Sequence, residues 1–68
     1  MPNYEAAIYN QEVRDAIASG KQHERVSHDW ADVRFIEVTA PNQDMALAKI
    51  NEEYPSGEGF VVEEIMEA

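Results

Sequence analysis

Val33-Arg34-Phe35-Ile36-Glu37-Val38-Thr39-Ala40-Pro41-Asn42-Gln43-Asp44-Met45-Ala46-Leu47 changes its period halfway along. From Val33 to Ala40 the residues alternate. Ile36, Val38 and Ala40 fall on one face, and Val33, Phe35, Glu37 and Thr39 on the other, which is the pattern of a strand. Pro41-Asn42 ends it. Asn42 is placed to cap a helix, with Asp44 in the first turn against the positive end of the backbone dipole. Ala46, Leu47, Ile50 and Tyr54 then recur at helical spacing, and Lys49 can pair with Glu52 or Glu53 on the wet side. Pro55 stops the helix, because the residue before a proline is pushed out of the α region. A strand running straight into a helix makes this a mixed α and β chain.

Upstream, Tyr4 to Tyr9 also alternates, with Tyr4, Ala6 and Ile8 on one side and Glu5, Ala7 and Tyr9 on the other. Asn10 reads as a second helix cap. Val13, Ala16, Ile17 and Gly20 follow as an apolar stripe, and Gly20 suits the position just past a helix end, where φ turns positive. Gln22 to Asp32 is irregular, with Ser27 able to cap one turn through His28-Asp29-Trp30-Ala31. Downstream, Ser56-Gly57-Glu58-Gly59 is a turn. Phe60 to Met66 is a third strand, in which Phe60 and Val62 share a face that Ile65 rejoins only through a bulge between Val62 and Ile65.

The order is β-α-β-α-β. We therefore expect a single small α/β (α+β) domain over residues 1–68, a three-stranded sheet with two short helices. The second helix should pack on Ile36, Val38, Phe60 and Val62. The first strand can sit between the other two and run antiparallel to both, giving a split β-α-β arrangement with an extra helix in its first connection. The alternative is an all-parallel sheet with helices on both faces. The stretch Phe35 to Ala40 followed by Asn42 to Leu47, a strand ending in V-x-A, a polar cap and an A-L helix, resembles many small α/β proteins, the archaeal ribosomal protein LX among them. The likeness covers about half the chain. That ribosomal protein is expected to be basic and this chain is acidic, so no function is carried over.

Composition narrows the function classes. Fourteen acidic and five basic side chains give a net charge of −9, and there is no cysteine among the 68 residues. Disulfides, thiol nucleophiles and thiolate zinc sites are excluded. No apolar run approaches the ~20 residues of a membrane helix, and Met1-Pro2-Asn3-Tyr4-Glu5 lacks the basic and apolar regions of a signal peptide. The expectation is a cytoplasmic protein with no membrane partner. Arg14, Lys21, Arg25, Arg34 and Lys49 are too scattered for phosphate contacts, so no nucleic-acid partner is expected. The acids Glu52, Glu53, Glu58, Glu63, Glu64 and Glu67 face no compensating base and suit a basic protein partner, or imitation of a nucleic acid.

Few residues point to chemistry. His23-Glu24-Arg25-Val26-Ser27-His28 has the look of the zinc protease signature H-E-x-x-H but is one residue too long. At i and i+5 two side chains stand about 140° apart on a helix, and odd spacing separates them on a strand. Only a loop converges His23 and His28, with Asp29 or Asp32 as further ligands. Gly57-Glu58-Gly59 precedes a strand rather than opening a helix, and it carries an acid, so it is no phosphate turn. No nucleophile elbow is marked, and no cofactor is expected. Trp30, in a loop, is either a core plug or a contact anchor.

The remaining feature is surplus apolar area. Leu, Ile, Val and Phe make up about a fifth of the chain, near the level at which charged chains stay disordered, yet both sheet faces carry apolar groups. If both helices lie on one side, the face with Tyr9 and Phe35 stays open. The expected function is a non-catalytic protein–protein interaction module or small subunit, with Tyr9, Trp30, Val33 and Phe35 at the interface and a second copy or another protein as partner. The alternatives are a small metal-dependent or acid/base enzyme using His23 and His28, and an acidic binder of a basic protein.

Overall fold

The computed structural model describes residues 1–68. They form β1 (Asn3–Asn10), α1 (Gln11–Ala18), β2 (Arg34–Thr39), α2 (Gln43–Glu53) and β3 (Phe60–Glu67), with short 3₁₀ turns at His28–Ala31 and Ser56–Glu58. The sheet order is β2-β1-β3, and β1 runs antiparallel to both neighbours. This is the split arrangement expected from the sequence, and the all-parallel alternative is not adopted.

One face of the sheet is the core. Ala6, Ile8 and Ile50 are buried together, and Ile36, Val38, Val62, Ile65, Tyr54, Phe60 and Trp30 pack around them. Tyr4, Ala40 and Ala46 form a second cluster beside Val38 and Ile65. All the β1 members are even-numbered, as period two demands. Filling Ile8 and Ile50 into this layer removes two large apolar side chains from water, each worth about 1.5–3 kcal/mol. Ile65 reaches the same face because β3 carries one extra residue. Ala7 pairs with Glu64 while Ile8 pairs with Val62, so Glu63 is left over as a bulge.

The helix ends follow their capping residues. Asn42 Oδ1 accepts from the Met45 N–H at 2.9 Å, and Ser27 accepts from Asp29 at 3.3 Å. Lys49 departs from the expected pairing with Glu52 or Glu53. Its Nζ donates to the Thr39 carbonyl at 2.7 Å, because the last carbonyls of an edge strand lie unpaired within its reach. The second strand is also shorter than its alternation implied: Val33 precedes it and Ala40 follows it. Ala40 is nevertheless fully buried and donates its N–H to the Pro2 carbonyl at 3.2 Å.

Asn10 joins both halves of the chain. It is the only fully buried polar residue. Its Oδ1 accepts from the Val13 N–H at 3.1 Å, capping α1, and its Nδ2 donates to the Glu58 carbonyl at 3.0 Å. Next to it, Gly59 has φ +95°, and a Cβ there would come within 2.7 Å of Asn10 Oδ1 and 2.6 Å of Glu12 Cγ. Only glycine fits that conformation and that gap.

Helix α1 ends as its sequence implies. Gly20 has φ +72°, its N–H reaches the Ile17 carbonyl at 3.0 Å, and the Lys21 N–H reaches that of Ala16 at 2.8 Å. This pair of bonds is the Schellman closure. The apolar stripe of α1 is a different matter. Val13 is buried, but Ile17 is 46% exposed. The reason is placement: α1 packs on the 3₁₀ turn His28–Ala31 and the start of β3, and does not lie along β1. It prolongs a molecule 43 Å long and only 18 × 14 Å across. Only its first turn therefore has a surface to bury against.

Candidate functional site

With α2 on one face of the sheet and α1 at its end, the other face has no helix over it. The strand register fixes what it displays. Opposite Glu5 stand Glu37 on β2 and Met66 on β3. Opposite Ala7 stand Phe35 and Glu64, and opposite Tyr9 stands Val61. Val33 prolongs this side of β2 by one residue. Phe35 is 64% exposed and Met66 42% exposed, while Ala7, flanked by larger side chains, is only 6% exposed.

The face is polarised along its length. At one end Glu5 and Glu37 sit directly across from each other with no cation between them. At the other end the Arg14 guanidinium lies 3.7 Å from the centroid of the Tyr9 ring. Its Nε donates to the Ala31 carbonyl at 2.7 Å, which holds the group in place. The chain contains one ion pair, Arg34–Asp29, and a His23–Glu12 hydrogen bond, so Arg14 has no carboxylate partner within the molecule. Sequence reading followed only the apolar stripe of α1 and did not join Arg14 to Tyr9. It also left out Met66, whose parity changes at the Glu63 bulge, and the Glu5–Glu37 pairing, which only the register reveals.

Of the four residues read as interface candidates, Tyr9, Val33 and Phe35 lie on or beside this open face. Trp30 lies on the opposite side, half-buried against the Ile8–Ile50 cluster. Its ring centroid is 5.2 Å from that of Tyr54 and 5.2 Å from that of Phe60, and those two are 5.3 Å apart, all in tilted or edge-on contact. Such geometry suits the ring quadrupoles. Arg34 covers the outer side of the indole at 5.1 Å.

These rings floor a cleft of about 360 Å³ that also borders Glu12, His23, Arg25 and Glu58. His23 is fully engaged there. Its Nδ1 accepts from the N–H groups of Arg25 and Val26, both at 3.1 Å, so in the neutral ring the proton sits on Nε2. That nitrogen faces Glu12 Oε1 at 3.1 Å. With one nitrogen accepting and the other donating, the ring pins the loop and offers no lone pair to a metal. His28 and Asp29 are exposed on the 3₁₀ turn, and nowhere do three His, Asp or Glu side chains gather closely enough to hold an ion. The structure does not bring His23, His28 and Asp29 into one site. Comparison with protein-family models, with curated proteins and with solved structures finds no match to this chain.

Proposed function

We propose that this chain is a non-catalytic protein–protein interaction module whose working surface is the open face of the sheet, and that it associates with itself. The observation that carries this reading is Phe35. A phenylalanine 64% exposed, on the sheet face that also carries Tyr9, Val61 and Met66, marks a contact surface, and a symmetric dimer is the commonest way to cover one. The small size of the domain adds to the argument, since a chain this short gains stability from area buried against a neighbour. The solution mass by light scattering, from micromolar to hundreds of micromolar, tests it. The expected result is a concentration-dependent rise above the 7.7 kDa of one chain, abolished by Phe35→Ser. Monomer mass throughout ends the reading.

A second reading, an acidic binder of a basic protein, has its own support. Glu52, Glu53, Glu58, Glu63, Glu64 and Glu67 are all exposed, and none is in an ion pair. Binding of that kind weakens steeply with salt. A pulldown at low salt that recovers no basic partner removes it.

A further inference from the structure

We propose that two copies pack open face against open face, with their β1 strands running in opposite directions about a two-fold axis through the Ala7–Phe35 row, so that Arg14 of each copy meets the Glu5–Glu37 pair of the other. This rests on the self-association reading above and adds the face, the orientation and the pairing.

Glu5 and Glu37 are opposed on neighbouring strands, an arrangement that costs stability when nothing offsets it. Arg14 is held at the far end by its stack on Tyr9 and its bond to Ala31, without an acidic partner in a chain of net charge −9. The two defects are complementary, and the spacing lets one copy correct the other. Glu5 and Tyr9 lie two residues either side of Ala7, each about 7 Å away along the strand. A two-fold axis lying between the sheets, perpendicular to the strands and passing over Ala7, keeps each strand above its own copy and reverses its direction. The partner's Tyr9 and Arg14 then come to the level of Glu5 and Glu37, and the same pairing repeats at the other end. Phe35 and Ala7 meet their own copies at the centre, a large and a small side chain in adjacent columns. A two-fold axis parallel to the strands gives the opposite result, placing Glu5 over the partner's Glu5, and the charges select against it.

The size of the face sets the strength. Two strands of eight residues and one of six, spaced ~4.8 Å apart, cover roughly 360 Å² per copy, less than half of the ~800 Å² per partner in a standard interface. Glu64 approaches its own copy at the rim, where water screens it. Both facts point to a micromolar dimer rather than a permanent one.

Reciprocal charge reversal tests the pairing. Arg14→Glu puts acid against acid in its own homodimer, and Glu37→Arg puts base against base, while an equimolar mixture of the two restores both contacts. Sedimentation velocity should show each variant alone weakened at least about tenfold and the mixture dimerising at least as well as the wild type. Circular dichroism of each variant alone confirms that it is folded. If both variants self-associate like the wild type, the dimer uses another surface, such as the β2 or β3 edge. This inference then falls while self-association stands. If both variants are folded monomers and their mixture stays monomeric, the Arg14–Glu37 pairing is wrong. If the wild type is itself monomeric at every concentration, this inference and the reading beneath it fall together.

Discussion

The two faces of the sheet are made by the same three strands, yet one is a core and the other a surface. On β1 the even positions Tyr4, Ala6, Ile8 and Asn10 are all buried, and the odd positions Ala7 and Tyr9 are nearly as apolar. What separates the faces is the element above them. The loop after β2 is short, Asn42 caps α2 at once, and the helix returns over the even face with Ala46 and Ile50 pointing in. Helix α1 is equally well capped, but Asn10 is both the last residue of β1 and its N-cap. No loop intervenes to turn the helix back, so it packs at the end of the sheet on the His28–Ala31 turn and β3. A helix with no connecting residues cannot fold over the strand it grows from, and the odd face stays uncovered for that reason.

The contrast is broken most severely from the covered side. Ile8→Ala opens a cavity where Ile8 is fully buried beside Ile50, and such truncations cost about 2–5 kcal/mol. A chain of this size holds about 3–10 kcal/mol in all at usual per-residue stabilities. Urea denaturation at low protein concentration should therefore find this variant largely unfolded or close to it. A loss below about 1 kcal/mol would mean that the even face is not the core. Asn10→Ala comes next. It removes the cap on Val13 and the donor to the Glu58 carbonyl, leaving two backbone groups to be satisfied anew, at about 2 kcal/mol. Its midpoint should fall with an unchanged denaturant slope, and a shift within error would show that water replaces both bonds.

Phe35→Ser probes the other side of the same strands. In the isolated chain Phe35 is mostly exposed, so the effect on monomer stability should stay within about 1 kcal/mol, set by strand preference and little else. Its effect on association should be much larger. A loss as great as that of Ile8→Ala, measured where the chain is monomeric, would show that the open face is closed by the chain itself and erase the contrast.

How much of this was legible beforehand follows from what period two can carry. Alternation places Ile36 with Val38 and Phe35 with Val33, and the mismatch between Val62 and Ile65 is enough to demand the bulge found at Glu63. Capping residues located both helices because Asn10 and Asn42 each satisfy a backbone donor locally. Alternation has no term for where the first helix will dock, so the exposure of Ile17 stayed out of reach, while Trp30, open between core plug and contact anchor, takes the core. The histidine spacing left a loop as the one way to converge His23 and His28, and the loop does not bring them together, while the double acceptance at His23 Nδ1 depends on loop backbone that no residue pattern encodes. Arg14 was hidden for a related reason. Helical periodicity turns it outward from the stripe of its own helix, and only the loop-free β1–α1 junction brings that outward side onto Tyr9.

The smallest expected effect has the opposite sign. Glu5 and Glu37 are direct cross-strand neighbours on the open face, and like charges so placed destabilise by a few tenths of a kcal/mol up to about 1 kcal/mol. Glu37→Thr removes one charge and supplies a residue that strands favour, so the dilute monomer should be stabilised by that amount, with the gain shrinking as salt screens the original repulsion. At concentrations where copies associate, the same substitution should weaken the dimer, because it deletes a carboxylate that Arg14 of the partner would meet. Stabilising the single chain and weakening the pair are separable by following the denaturation midpoint against protein concentration: the two curves should cross. If Glu37→Thr gains stability equally at every concentration, the charge is only a local cost, and the acidic end of the face has no counterpart on another copy.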